Sequence, residues 1–246
     1  MKQLIYTFER IEKKYRITVS QKERLLALFT DRLTSDLHGE NTICSLYLDT
    51  RDYLLIRNSI DAKVYKEKLR IRSYGAANFD SRVFFEIKKK FKGIVYKRRV
   101  AMSLEDAVLY IESGQKPLDS QIMSEIDYAM NLYRYPKPAM MIMYERQAFF
   151  GKQEQDLRIT FDSKIRYRNT DLSPEYGFDG YEILPENELI MEIKTAGAMP
   201  LWLSYILDSE KIYPSSFSKY GTAYHLLLSN SNLSLCKGDF KNVSNF

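Results

Sequence analysis

The sequence predicts an α+β fold of about eight antiparallel strands with helices between them, and three observations predict it. Short runs alternate apolar and charged residues at the two-residue period of a strand. Apolar residues at helical spacing occur only in a few short segments, and the clearest of these carry their own capping residues. Nineteen Tyr and 13 Phe suit a sheet-rich chain, because aromatic rings pack well on pleated surfaces.

The first strand is read in residues 8–19, where Glu12, Lys14 and Arg16 alternate with Lys13, Tyr15 and Ile17. Ser20 to Glu23 then reads as a capping box, followed by Leu25, Leu28, Phe29 and Leu33 at helical spacing. His38 falls in the polar loop beyond and is read as solvated. Residues 42–50 form the next strand, with Ser45, Tyr47 and Asp49 on one face and Cys44, Leu46 and Leu48 on the other. Asp49 is read as a cap for the turn that follows.

The stretch from Lys63 to Val100 carries the strongest signal. Lys68, Arg70 and Arg72 share a face opposite Leu69 and Ile71. Phe84, Glu86, Lys88 and Lys90 share one opposite Phe85 and Ile87, and after a turn at Lys92–Gly93 so do Lys97 and Arg99. One polar, solvated face is ordinary for an antiparallel sheet. A solvated face normally mixes both signs, however, and these three strands set only Glu86 among about eight cations. Such a surface calls for an anion.

Two helices follow, one from Leu104 ended by Gly114 and one from about Ser120 to Tyr133, with their methionines as core filler. Pro136 and Pro138 return the chain to strand, where Met140, Ile142, Tyr144 and Arg146 share a face. Arg158, Thr160 and Asp162 stand opposite Leu157, Ile159 and Phe161. Residues 181–195 read as a hairpin whose second strand shows Ile190, Glu192 and Lys194 on one face and Met191 and Ile193 on the other. Trp202 reads as core or as a cover over one mouth, and His225 as packed on a final helix.

At 246 residues and 45 % hydrophobic composition the chain suits one sizeable domain. That domain is read as residues 1–228, with a polar tail over 229–246 whose Asn- and Ser-rich sequence predicts poor order. A net charge of +5, from 37 basic and 32 acidic residues, is modest. Any strong positive potential must therefore be local, and the charge does not demand nucleic acid. Cys44 and Cys236 form no disulfide framework and fit a reducing compartment. No signal-peptide pattern and no apolar run near the ~18 residues of a span is found, so a cytoplasmic chain is expected.

Periodicity alone does not choose between an open sheet with its charged face in water and a closed barrel with that face inward. Repeated cations with sparse carboxylates favour the barrel, since such a lining makes sense around bound phosphates or sulfates.

The ordered set Glu12-Lys13-Lys14-Tyr15, Tyr47-Leu48-Asp49-Thr50, Lys68-Leu69-Arg70-Ile71-Arg72, Glu86-Ile87-Lys88, Tyr144-Glu145-Arg146, Glu192-Ile193-Lys194 and Ser218-Lys219-Tyr220 resembles the VTC domain. That is the polyphosphate-polymerase domain of the vacuolar transporter chaperone complex, within the triphosphate tunnel metalloenzyme (CYTH-like) superfamily. The likeness covers roughly residues 5–228. It implies an antiparallel β-barrel tunnel with helices packed outside, which binds a nucleotide triphosphate or inorganic polyphosphate together with Mn²⁺ or Mg²⁺. Motif by motif, it assigns substrate binding to Lys14, Lys88, Lys97, Arg146 and Arg158, phosphate binding to Arg70 and Arg72, and the metal to Glu192. Ser218 and Lys219 match its late motif, and Lys68, Lys90, Arg99 and Lys194 fall in phase with these rows.

The expected reaction is transfer of the terminal phosphoryl group of ATP to a growing polyphosphate chain. In it Lys219 steadies the transferred charge, Ser218 orients it, and Arg70 and Arg72 hold the chain. Neither an SPX sensor domain nor a membrane span is seen in the sequence, so any membrane association would come through a protein partner. The hydrolase branch of the superfamily opens on alternating glutamates and a lysine; here Glu12 keeps that phase and Glu9 does not. A tunnel triphosphatase is the second reading. A non-catalytic polyanion- or RNA-binding module is the third, and sparse aromatics on the basic rows speak against single-stranded nucleic acid.

Overall fold

The computed structural model describes residues 11–62, 64–92, 94–173, 175 and 177–238. Glu9, the turn residue Gly93, the side chains of His38 and Cys236, and tail residues 239–246 lie outside the described residues. Nine strands and six helices make up the described chain. In order they are β1 (Ile11–Thr18), α1 (Val19–Phe29), β2 (Leu33–Asp49), α2 (Leu54–Asp61), β3 (Tyr65–Tyr74), β4 (Arg82–Phe91) and β5 (Ile94–Ser103). Then come α3 (Leu104–Ser113), α4 (Gln121–Leu132), β6 (Lys137–Gly151), β7 (Arg158–Arg168), β8 (Tyr181–Glu182), β9 (Glu188–Thr195), α5 (Leu201–Ser209) and α6 (Lys219–Gly238).

All strands join one antiparallel sheet in the order β1-β9-β7-β6-β2-β3-β4-β5, with β8 paired to β7. The α+β class and antiparallel topology agree with expectation. The barrel needs correction, because β1 and β5 stand at opposite edges and the sheet stays open. It is nevertheless strongly curled. Six strand spacings separate β1 from β4, roughly 29 Å in a flat sheet, yet Glu12 on β1 and Lys88 on β4 perturb one another's ionisation. The hairpin read over residues 181–195 also differs, since β8 pairs with β7 and not with β9.

Alternation explains both layers. On the convex face Leu46, Leu48, Leu69, Ile71, Phe85 and Ile87 pack under α3 and α4. Tyr15, Ile17, Ile159, Phe161, Met191 and Ile193 pack under α1 and α5, where the half-buried Trp202 packs against this core, edge-on to Phe29. The true N-cap of α1 is Thr18, in a capping box with Gln21, rather than Ser20. Ser103, Ser120 and the left-handed Gly114 (φ 75°) bound α3 and α4 as expected.

Not every helix lies outside. α2 and α6 cover one half of the concave face, where Tyr47, Ile142, Tyr167 and Ile190 meet Ile56, Tyr220, Ala223 and Tyr224. Asp49 fixes both helices: it accepts from the backbone N–H groups of Leu55 and Ile56 and from the Tyr220 hydroxyl. A one-residue bulge on β7, with Lys164 at φ 47°, separates the polar row Arg158–Thr160–Asp162 from the apolar Ile165 and Tyr167. α6 continues to Gly238, past residue 228. His225 on α6 is exposed rather than packed inward.

Candidate functional site

The uncovered half of the concave face is a charged groove. Its floor is set by register: Lys14 lies opposite Glu192, Glu192 opposite Thr160, Arg146 opposite Asp162, Arg70 opposite Glu86, and Lys68 opposite Lys88 opposite Lys97. Cross-strand neighbours share a face, so the rows expected from alternation do face one space.

Glu192 is the hub. Its oxygens stand 3.7 Å from the Lys14 ammonium, 3.4 Å from Lys194, 3.6 Å from Lys219 and 3.7 Å from the Arg146 guanidinium. Burial opposes its ionisation, but Lys219, Lys14, Lys194 and Arg146 together hold its carboxyl well below the usual carboxylate range. Glu12 bridges Lys14 and Lys194 on the same side, at 3.6 Å from each.

Asp162 is fully buried beside this hub. It accepts two hydrogen bonds from Arg146, at 2.6 and 2.7 Å, and a third from Lys219. Burial acts against the charge on Lys219, but Asp162 and Glu192 raise its pKa and keep it protonated. The Lys219 ammonium also lies 4.5 Å from the centre of the Tyr144 ring.

Across the groove, Arg70 donates to Glu86 (2.8 and 2.7 Å) and to the Tyr47 hydroxyl (3.1 Å). Lys97 closes on the other Glu86 oxygen at 2.6 Å. Burial acts against the charge on Glu86, but Arg70, Arg72 and Lys97 bring its pKa down to about 2. Arg72, itself buried, reaches the hydroxyls of Ser45 and Tyr144 at 3.4 and 3.5 Å. Burial, with Lys14, Lys88 and Arg70 nearby, lowers the Lys68 pKa to about 8. Burial also opposes ionisation of Tyr47, but Arg70, Lys68 and Arg72 outweigh it and bring that hydroxyl to about 7.

The segment leading into α6 spans the groove from above. Lys14 donates to the Phe217 carbonyl at 3.0 Å, Lys68 donates to Ser218 Oγ at 2.9 Å, and Lys219 reaches Asp162. Ser218 also accepts from the Gly221 N–H, so it caps the helix and holds Lys68 at once.

Thus Lys14, Lys68, Arg70, Arg72, Lys88, Lys97, Arg146, Lys194, Glu192, Ser218 and Lys219 are brought together. Lys90, Arg99 and Arg158 face the same side but lie at its margin. Lys90 is exposed, Arg99 lies 4.7 Å over the Phe84 ring, and Arg158 lies 5.1 Å over Phe150. Sequence reasoning did not assign Asp162, Glu12, Tyr47 or Tyr144 to the site. The signal for Asp162 was its strict phase with Arg158 and opposition to Phe161. The groove also holds more aromatic surface than expected, with Tyr47 under Arg70 and Tyr144 under Arg146 and Lys219.

For a divalent metal, Glu192 with Glu12 supplies hard carboxylate oxygens, the donor type Mg²⁺ and Mn²⁺ take while drawing their other ligands from phosphate and water. Among the described residues no group of three or more His, Cys, Asp or Glu side chains converges as a complete metal cage.

Comparison with known proteins bears on this geometry. The family model for the VTC domain matches residues 9–228. Among solved structures, a candidate adenylate cyclase from Bacillus halodurans superposes with a TM-score of 0.54 at 15 % identity, covering 85 % of this chain and 95 % of that one. A candidate adenylate cyclase from Vibrio parahaemolyticus (12 % identity, 87 % and 97 % covered) and a protein of Pyrococcus horikoshii (13 %, 90 % and 99 %) each give a TM-score of 0.45. No curated protein sequence matches. The first superposition shows a shared fold, the family model takes in every groove residue named above, and the chain belongs to the VTC domain family.

Proposed function

We propose that this protein is a polyphosphate polymerase that moves the terminal phosphoryl group of ATP onto inorganic polyphosphate in the groove. The observation that carries the reading is the lining itself: nine cations against four carboxylates, one of the nine, Lys219, being brought into the groove by α6. Phosphoryl transfer needs little covalent help from protein, because charge spreads over the equatorial oxygens and catalysis is mostly positioning and electrostatic stabilisation.

Arg70 and Arg72 hold phosphates of the chain, and Lys14, Lys68, Lys88 and Lys97 set its track. A terminal oxygen of the polyphosphate attacks the γ-phosphorus of ATP. The bond from that phosphorus to the bridging oxygen breaks, ADP leaves, and the chain is one phosphate longer. Lys219 and Arg146, kept cationic by Asp162, offset the charge on the group in flight. Mn²⁺ or Mg²⁺ held by Glu192 and Glu12 would supply further neutralisation of phosphate oxygens.

The test is to incubate the purified protein with ATP and Mn²⁺ and follow ADP, orthophosphate and polyphosphate together. ADP matched by polyphosphate is expected, with turnover lower by about 10²–10³ in Arg70→Ala and Glu192→Ala. ADP matched by orthophosphate makes the chain a triphosphatase, and both variants within twofold of wild type would falsify the site.

A further inference from the structure

We propose that the tip of the β4–β5 hairpin docks on anionic lipid bilayers. Lys and Arg exceed Asp and Glu by five over the whole chain, and the run from Lys88 to Arg99 alone carries seven cations and no carboxylate. The protein's positive excess therefore resides in one hairpin.

Three of these cations are spoken for, in pairs Lys89–Glu67, Lys97–Glu86 and Arg98–Glu125. Lys90 and Lys92 have no carboxylate partner among the described residues, nor has Lys66, which lies opposite Lys90. Around them sits apolar surface. Phe91, Val95 and Tyr96 are 44, 42 and 45 % exposed, and Phe91 lies between Tyr65 and Ile94 in the cross-strand register.

Exposed aromatic and branched residues ringed by unpaired lysines match a bilayer boundary, where rings enter the headgroup layer and lysines reach anionic phosphates. A free polyanion would use the lysines and gain nothing from Phe91, Val95 and Tyr96. No described helix is long and apolar enough to cross a membrane, and the contact proposed is a peripheral one. The inference does not rest on the polymerase reading.

The test is co-sedimentation of the full chain with phosphatidylcholine vesicles and with vesicles that also contain phosphatidylglycerol. Binding to the anionic vesicles alone is expected, weakening as salt rises. Lys92→Glu should lower that affinity about tenfold or more, and Phe91→Ser with Tyr96→Ser about tenfold. Both variants should keep the wild-type unfolding temperature and tripolyphosphate affinity. Equal sedimentation with both vesicle types, or variants that bind vesicles like wild type, overturns the proposal. So does loss of polyphosphate affinity in Lys92→Glu without any vesicle binding, which would make the tip a polyanion landing site.

Discussion

At Asp162 a single, fully buried carboxylate holds two largely buried cations, and its removal should show what that costs. Asp162→Asn leaves Arg146 and Lys219 largely buried, with Glu192 as their one remaining carboxylate partner among the described residues. Breaking a buried pair from one side costs about 3–5 kcal/mol, so the denaturant midpoint should fall sharply. Lys219→Met leaves the two Arg146–Asp162 bonds intact; turnover should drop by about 10²–10³ with a far smaller loss of stability. An unchanged midpoint in Asp162→Asn would rule out the ion-pair account. Titration offers an independent handle. Below pH 7 Lys68 is charged and Tyr47 neutral; as pH rises through about 7 and then about 8, Tyr47 gains a negative charge and Lys68 loses its positive one. Both changes weaken polyanion binding, so tripolyphosphate affinity should fall between pH 6.5 and 9, by about tenfold for each charge-assisted hydrogen bond to phosphate that is removed. Binding should also take up protons in that window. Lys68→Arg should flatten the upper part of the profile and Tyr47→Phe the lower; parallel profiles for all three proteins would remove these two groups from the site.

At the scale of elements, α6 matters because its cap and first residue carry Ser218 and Lys219 into the groove, and Tyr220 anchors it. The Tyr220 ring stacks on Tyr47 at 4.4 Å and its hydroxyl donates to Asp49 at 2.8 Å. Tyr220→Phe keeps the stack and removes the bond, leaving Asp49 with its backbone donors. A loss of about 1–2 kcal/mol follows, together with faster amide exchange over residues 218–224 and lower turnover; unchanged exchange there would mean that packing alone seats the helix. The faces of the strands were legible in the sequence, since a strand with one buried face fixes its own phase. Lys68, Arg70 and Arg72 therefore point where alternation put them. The placement of α6 was not legible. Its contact residues, Tyr220, Ala223 and Tyr224, make an ordinary apolar stripe, and nothing local says that the stripe sits on the concave side. The pairing of β8 with β7 is likewise a long-range choice, and at α1 two overlapping cap patterns competed, with Thr18 and Gln21 prevailing.

For the molecule as a whole, closure was the property periodicity could not decide, because an open curled sheet and a barrel present the same alternation. The structure keeps the seam between β1 and β5 open while the curl brings like charges together: Lys68 lies within range of Lys14 and Lys88. Self-repulsion of this kind works against the free fold and is relieved by an anion. Tripolyphosphate should accordingly stabilise the protein by about 2.7 kcal/mol at a hundredfold excess over its Kd, a rise in unfolding temperature of about 5–10 °C for a domain of this size. Raising monovalent salt should lift the unfolding temperature of the free protein and shrink the tripolyphosphate increment, because both act on the same repulsion. Glu192 provides the sharper contrast. As the hub of four cations it lowers the repulsion of the free state, so Glu192→Gln should reduce the unfolding temperature without ligand. In the absence of divalent metal the same variant presents one more net positive charge to the polyanion, and its tripolyphosphate increment should exceed that of wild type. A smaller increment would mean that Glu192 is needed to hold Lys14, Lys194, Lys219 and Arg146 in position for phosphate, and that the lining acts through geometry more than through net charge.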